Sequence, residues 1–206
     1  GVLGAKRIIP EKERMELKNI AIKKGGAVNY KKTKKGKIPY ELNINYFDAL
    51  SEGDGLDVKR FLAAYAIAFS IKGIPGIYFH SLVGSRGWKK GVKKTKRART
   101  INREKLNFDK LISELHDEKS RRHKIFAGLN GMLLVRKKEK AFDPCSKQKV
   151  LFLEKKVFSI KRNNIVVLIN VSKDKINLKK KFRGKDLLTG KKFENKLEPY
   201  GIVWLR

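Results

Sequence analysis

Two periods divide this chain. Up to about residue 144, apolar residues recur mostly at helical intervals; beyond it they form short runs separated by polar turns. Pro10 followed by Glu11 and Glu13 marks a helix start, and Gly25-Gly26 marks its end. A second helix is expected over about 56–72. Its stretch FLAAYAIAFSI is apolar on nearly every face and must be buried. IPGIYF at 74–79 follows at once, β-branched and aromatic without alternation, as a parallel strand covered on both faces would be. Helix followed directly by such a strand points to an α/β repeat.

Residues 31–37, KKTKKGK, read as a basic, solvated loop, and YELNINYFDAL (40–50) leads into the turn-rich SEGDGLD. A long irregular loop is expected at 80–102, after the strand's C-terminal end, where α/β sheets and barrels bind substrates. Short helical stretches follow at 103–117. An amphipathic helix then runs over about 120–138, with Ile125, Phe126, Leu129, Met132 and Leu133 on one stripe. After Phe142-Asp143-Pro144 the runs VLFLE, VFSIKR and IVVLINVS are strands, divided by turns such as Arg162-Asn163-Asn164. The boundary between an α/β part (1–144) and a small antiparallel β domain (145–206) is placed near 143–148.

Composition narrows the classes. With 206 residues and 41% hydrophobic content, a real core can form despite the charge. The longest apolar run, 61–71, is too short to span a bilayer, and no secretory pattern opens the chain, so no membrane partner is expected. One cysteine, Cys145, allows neither a disulfide framework nor a cysteine zinc site, which suits a reducing cytoplasm. The opening GVLGAKRIIP has neither Met nor a capping signal and reads as the interior of a longer chain. The net charge of +31 suggests a polyanionic partner. The balance within it argues the other way: of 51 basic residues, 38 are Lys and 13 Arg, scattered through every segment, whereas nucleic-acid readers lean on Arg.

No Walker loop or complete GxGxxG is present; Gly53 and Gly55 belong to a turn. His80, His116 and His123 lack metal spacing, so neither metal nor cofactor is expected. His116 and His123 read as solvent-facing, while His80 sits at a strand end where it could line a site. The strongest candidate is the loop 84–99. Gly84, Ser85 and Gly87 permit close backbone approach and offer N–H donors. Arg86 and Arg99 carry planar forks for phosphate or paired hydroxyls, and Trp88 could form a wall against a sugar.

GIPGIYFHSLVGS (73–85) and RARTINREKL (97–106), with YELNINYFDAL upstream, resemble the sucrose-phosphorylase-like branch of the α-amylase superfamily. AFDP (141–144), NVS (170–172) and LEPYGIVWL (197–205) resemble the end of the same family. The resemblance runs through essentially the whole chain, in order. It implies an α/β fold: the C-terminal portion of a (β/α)8 barrel, with 74–79 as its eighth strand and 120–138 as its last helix, then a small antiparallel β-sheet domain. It also implies retaining transfer of an α-glucosyl unit to inorganic phosphate. The paired carboxylates of such enzymes stand ~5–5.5 Å apart. They belong to earlier strands, so none is assigned here; the third family carboxylate falls just upstream of Gly1-Val2. Asp48 and Asp57 are not assigned roles either.

Arg99 matches the family Arg that hydrogen-bonds the glucosyl unit, and 84–92 matches the mobile loop that exchanges acceptor for phosphate. Relatives often carry Asn-Asp where this chain has Gly87-Trp88, which leaves the acceptor open; the family includes sucrose, sucrose 6-phosphate and glucosylglycerate phosphorylases. The expected partners are therefore an α-glucoside and inorganic phosphate, with substrate contacts from Arg99, Arg86, Trp88, Ser85, Gly84 and His80. A nucleic-acid-binding module and an inactive truncated relative are the alternatives. On the leading reading these residues alone would be inactive and poorly folded, because two strands cannot close a barrel.

Overall fold

The computed structural model describes residues 2, 4–34 and 36–206. Gly1, on which part of the upstream motif rested, lies outside the described residues, as does Lys35 of the basic stretch. The chain divides into two compact units. One comprises Gly1–Leu50 with Phe79–Glu114, the other Ser51–Tyr78 with Leu115–Arg206. This division does not fall at the change of period near residue 145, because two long helices group with the β-sheet.

In the first unit, α1 spans Glu11–Lys23, with Pro10 at its N-cap and two acids in its first turn, where the helix dipole favours them. It ends where Gly26 donates its amide to Ala21. A Cβ at Gly26 would stand 2.8 Å from Ile44 Cβ and 2.9 Å from the Ala21 and Asn43 carbonyls, so the chain leaves the helix through a gap only glycine fills. β1 (Ala27–Thr33) and β2 (Gly36–Asn43) then pair as an antiparallel hairpin with a bulge at Asn29/Tyr30. Residues 31–33 and 36–37 of the basic stretch are therefore strand, not loop. Lys31 pairs with Ile38, Lys32 with Lys37 and Thr33 with Gly36. Backbone ladder bonds carry the pairing, so a run of lysines conceals it.

The short helix α2 (Tyr46–Leu50) is capped by Asn45, whose buried side chain accepts from the Phe47 amide at 2.9 Å. The expected loop 80–102 is mostly helical. It contains α4 (Phe79–Leu82), α5 (Lys89–Thr95) and a 3-10 turn over Ala98–Asn102. α5, KKGVKKT, has no apolar period to betray it. It closes because Thr95 Oγ1 donates to the Gly91 carbonyl and Lys96, at φ 54°, ends the helix in the left-handed region. α6 (Phe108–His116) completes the region.

The second unit is built on α3 (Asp57–Ser70), α7 (Arg121–Lys138) and a four-stranded antiparallel sheet. Its strands are β3 (Gln148–Val150), β4 (Val157–Arg162), β5 (Ile165–Asn170) and β8 (Ile202–Leu205), in the order 3-4-5-8. β6 (Ile176–Asn177) and β7 (Lys196–Leu197) form a separate pair. Both helices form where the sequence suggested, but Phe126, expected on the apolar stripe, is exposed. α3 buries Phe61, Ala63, Tyr65, Ala66, Phe69 and Ser70, and α7 starts at Ser120, whose Oγ accepts from the His123 amide at 2.9 Å. β5 is apolar throughout because both faces are covered: Leu168 joins Val157, Leu178, Phe193, Leu197 and Leu205 on one side, while Ile165, Val167 and Ile169 alternate to the other. VLFLE is ordered as a strand only at its first edge, and the ladder partner of Val150 is Ile160.

The strand expected at 74–79 does not form. Residues 74–78 have no ladder partner, Ile74 is 86% exposed, and Phe79 opens α4. A strand buried on both faces needs neighbours on both edges, and the described residues contain no parallel strand. Its preceding helix is nonetheless firmly ended. Arg162, fully buried, donates Nη1 to the Ser70 carbonyl and Nη2 to the Asp143 carbonyl, both at 2.7 Å. Arg136 donates to the carbonyls of Phe69 and Gly73. Two guanidinium groups thus satisfy the C-terminal carbonyls of α3, where the dipole favours cations. His123, expected to face solvent, is half-buried with Nδ1 2.8 Å from the Leu115 carbonyl.

Candidate functional site

The sequence-predicted residues all lie in the first unit, but their polar groups are more occupied than expected. The amide of Gly84 donates to Ser81 O (3.1 Å), that of Ser85 to His80 O (2.7 Å) and that of Gly87 to Asp48 Oδ2 (2.7 Å). Two of the three expected anion donors therefore close local turns, and the third is taken by the Asp48 carboxylate. Gly84, at φ 59°, is the point where the chain reverses after α4. Ser85, 1% exposed, places its Oγ 3.1 Å from Nδ1 of His80, itself 8% exposed and edge-on to Phe79. His80 and Ser85 thus form a buried pair beneath the segment.

Trp88 donates its amide to Ile101 O at 2.8 Å, tying the start of α5 to the 3-10 turn. Its ring lies flat on Gly91: a Cβ there would stand 2.1 Å from Trp88 Cε3. One face of the indole is consequently covered by its own helix, leaving the half-buried remainder for any sugar.

Both arginine forks meet carboxylates. Arg86 donates Nε to Asp48 Oδ1 at 2.6 Å and lies 5.7 Å from the Phe47 ring centroid. Asp48, not assigned from sequence, is thereby a bridge between the Arg86 side chain and the Gly87 backbone. Gly87 admits no side chain, since a Cβ would come within 2.9 Å of Ile101 and 3.0 Å of Asp48. Arg99, 53% exposed, donates Nε to Glu41 Oε2 at 2.9 Å and Nη2 to the Tyr40 hydroxyl at 3.0 Å. Glu41 accepts a second bond, from Asn29 Nδ2 at 2.9 Å. Donation by Arg99 is the main cause that holds the Glu41 carboxyl below its ordinary value of 4.5; partial burial opposes it and Asn29 assists.

Around Arg99 lies a cavity of about 430 Å³, lined by Asn29, Lys96, Arg97, Ala98, Arg99, Thr100 and Arg103. Four cationic side chains converge on it. Lys96, Arg97 and Arg103 were not singled out from sequence, although the cationic density of KRARTINR carried the signal. A larger cavity, about 550 Å³, lies in the second unit, lined by Leu133, Arg136, Glu139, Phe142, Asp143 and Pro144 among others. Among the described residues, no group of three or more His, Cys, Asp or Glu side chains could hold a metal, and no helix is long and apolar enough to cross a membrane. Lysines are exposed on α1 (Lys12), β1 (Lys31), α5 (Lys93) and the β region (Lys180, Lys192), so positive charge is spread through both units.

No protein-family model matches the chain. It is 44% identical over 183 residues to the glucosylglycerate phosphorylase of Spirochaeta thermophila, covering 84% of this chain and 31% of that protein. Among solved structures, the sucrose 6F-phosphate phosphorylase from Thermoanaerobacter thermosaccharolyticum superposes with a TM-score of 0.68 at 20% identity, over 94% of this chain and 37% of that one. The maltogenic amylase from S. marinus does so with a TM-score of 0.54 at 22% identity, over 71% of this chain and 19% of that one. The fold is thus one found within α-amylase-superfamily barrel proteins followed by an antiparallel sheet. The chain is a homologue of proteins named glucosylglycerate phosphorylase, and spans about a third of the length of the relatives it matches.

Proposed function

We propose that this chain is the C-terminal part of a retaining α-glucoside phosphorylase and builds one wall of its sugar and phosphate site. The observation that carries the proposal is the cavity at Arg99, where Lys96, Arg97, Arg99 and Arg103 converge. Four cations around one opening suit an anion, and such a reaction has two anionic reactants on offer: inorganic phosphate and an acidic glucosyl donor. The name of the 44%-identical relative supports glucosylglycerate, an acid, as the glucosyl donor.

In this reading a carboxylate contributed from elsewhere in the protein takes the glucosyl unit from the donor by forming a bond to its anomeric carbon. A second carboxyl group, protonated, gives its proton to the departing oxygen and, left as a carboxylate, takes the proton of the incoming phosphate. A phosphate oxygen then replaces the enzyme carboxylate, giving α-glucose 1-phosphate with retained configuration. Arg99 would grip hydroxyls of the transferred unit. Lys96, Arg97 and Arg103 would draw anions toward it, with Arg86, Trp88 and the turn around Gly84, Ser85 and His80 shaping the adjoining wall. The cytoplasm is the compartment assigned.

The test is to supply the full-length protein with inorganic phosphate and, in turn, glucosylglycerate, sucrose 6-phosphate and sucrose. Glucose 1-phosphate should appear, most rapidly from glucosylglycerate. Free glucose alone, or no product from any of the three, would show the reading to be wrong.

A further inference from the structure

We infer that Glu41, backed by Asn29 and joined by Tyr40, is the positioning residue of Arg99, holding one edge of its guanidinium so that the other edge is presented to ligand. A guanidinium has five N–H donors along fixed edges. Here the side edge is taken: Nε donates to Glu41 Oε2 at 2.9 Å and Nη2 to Tyr40 Oη at 3.0 Å. The end edge, made by Nη1 and the second hydrogen of Nη2, makes no other hydrogen bond among the described residues. That edge still offers two parallel donors for neighbouring oxygens. A long side chain 53% exposed would otherwise sample many rotamers.

The hold is built on a rigid element. Asn29 and Glu41 are direct cross-strand partners in the β1–β2 hairpin, and Asn29 Nδ2 donates to the same oxygen that Arg99 engages. The bulge follows at once, between Asn29 and Tyr30. Bulges re-aim side chains, and here Tyr40 and Glu41, adjacent in sequence, both reach Arg99. Asn29 also lines the cavity that Arg99 faces. Among the described residues, Glu41 supplies the one carboxylate bonded to any of the cavity's four cations, limiting their mutual repulsion as Arg99 is brought among them.

The role in turnover rests on the proposed glucosyl transfer, so the test has two arms. In the full-length protein, Glu41→Ala should lower kcat/KM for phosphorolysis by up to about 10²-fold, the scale of misplacing a substrate-orienting group. Glu41→Gln, which keeps an acceptor oxygen, should recover most of that loss. In an Arg99→Ala background, Glu41→Ala should cost little more, because Glu41 acts through Arg99. Additive losses, or no recovery by Gln, would overturn the role.

The second arm needs no activity. The Arg99 Nε–H resonance, assigned by its loss in Arg99→Lys, should be sharp and slow to exchange, and should shift in Glu41→Gln. An Nε–H signal indifferent to Glu41→Gln would overturn the positioning even if the protein proves to have another activity.

Discussion

Arg99 and Glu41 stand 58 residues apart in sequence and meet at 2.9 Å, joining the 3-10 turn that follows α5 to the hairpin that precedes it. With Arg86 and Asp48 at 2.6 Å, this pair ties the segment after α4 to the structure before it at two separate points. Both arginines had been read as open forks. They are held forks, and a held fork has a defined direction.

The first consequence concerns pH. The Glu41 carboxyl is kept below 4.5, first by the hydrogen bond from Arg99. A group whose folded value is depressed contributes stability that is complete above its unfolded value and lost as pH falls through the folded one. The hairpin contact should therefore be insensitive to pH above about 5 and weaken only in the acid range below 4.5. Carboxyl-carbon NMR titration should place the Glu41 midpoint below 4.5, and Arg99→Ala should raise it; a midpoint at or above that value would refute the contact.

Gly87 is predicted to tolerate no side chain. In Gly87→Ala the new methyl would meet Ile101 and Asp48, so the segment must shift, at a cost of about 1–3 kcal/mol. Gly131, inside α7, has nothing within 4 Å of its missing Cβ. There Gly131→Ala should stabilise by about 0.5–1 kcal/mol, because alanine suits a helix interior better. Urea unfolding of the two variants side by side should give opposite signs.

How much of this was legible along the chain depends on the range of the interaction. Helices α1, α3 and α7 were readable because their signals are local: Pro10 and the acids behind it, an unbroken apolar face, and Ser120 ahead of an apolar stripe. β4 and β5 were readable for the same reason, with Asn163 turning at φ 48° between them. The hairpin was hidden by its lysines, because Lys31, Lys32 and Lys37 carry no alternation. α5 was hidden by Gly91, which lacks helix propensity yet is needed to seat the Trp88 ring. The strand expected at 74–79 was misread from its apolar, β-branched sequence. Whether such a sequence forms a ladder is decided by strands it must lie between, a property no local pattern contains. Arg99 and Arg86 were named from sequence; Glu41, Tyr40, Asn29 and Asp48 could not be given roles, since partners across a hairpin or helix leave no spacing signature.

Arg162 tests the second unit. It is fully buried and serves the carbonyls of Ser70 and Asp143. Arg162→Met would keep much of the volume and leave the buried Ser70 carbonyl unpaired, at about 1–3 kcal/mol, with the partly buried Asp143 carbonyl also losing its donor. The thermal midpoint should fall by several degrees, and the C-terminal turn of α3 should lose protection from hydrogen exchange. Unchanged protection at residues 67–71 would show that Arg162 does not hold this helix end.

The central claim is that this chain supplies the sugar-gripping wall of an α-glucoside phosphorylase, through Arg99. The most direct measurement is glucose 1-phosphate formation by the full-length protein, wild type against Arg99→Ala, with unfolding midpoints recorded for both. The account predicts a loss in kcat/KM on the order of 10²-fold or more, the scale for removing one preorganised donor, with the midpoint little changed because Arg99 is 53% exposed. Near-normal glucose 1-phosphate release by Arg99→Ala would contradict it.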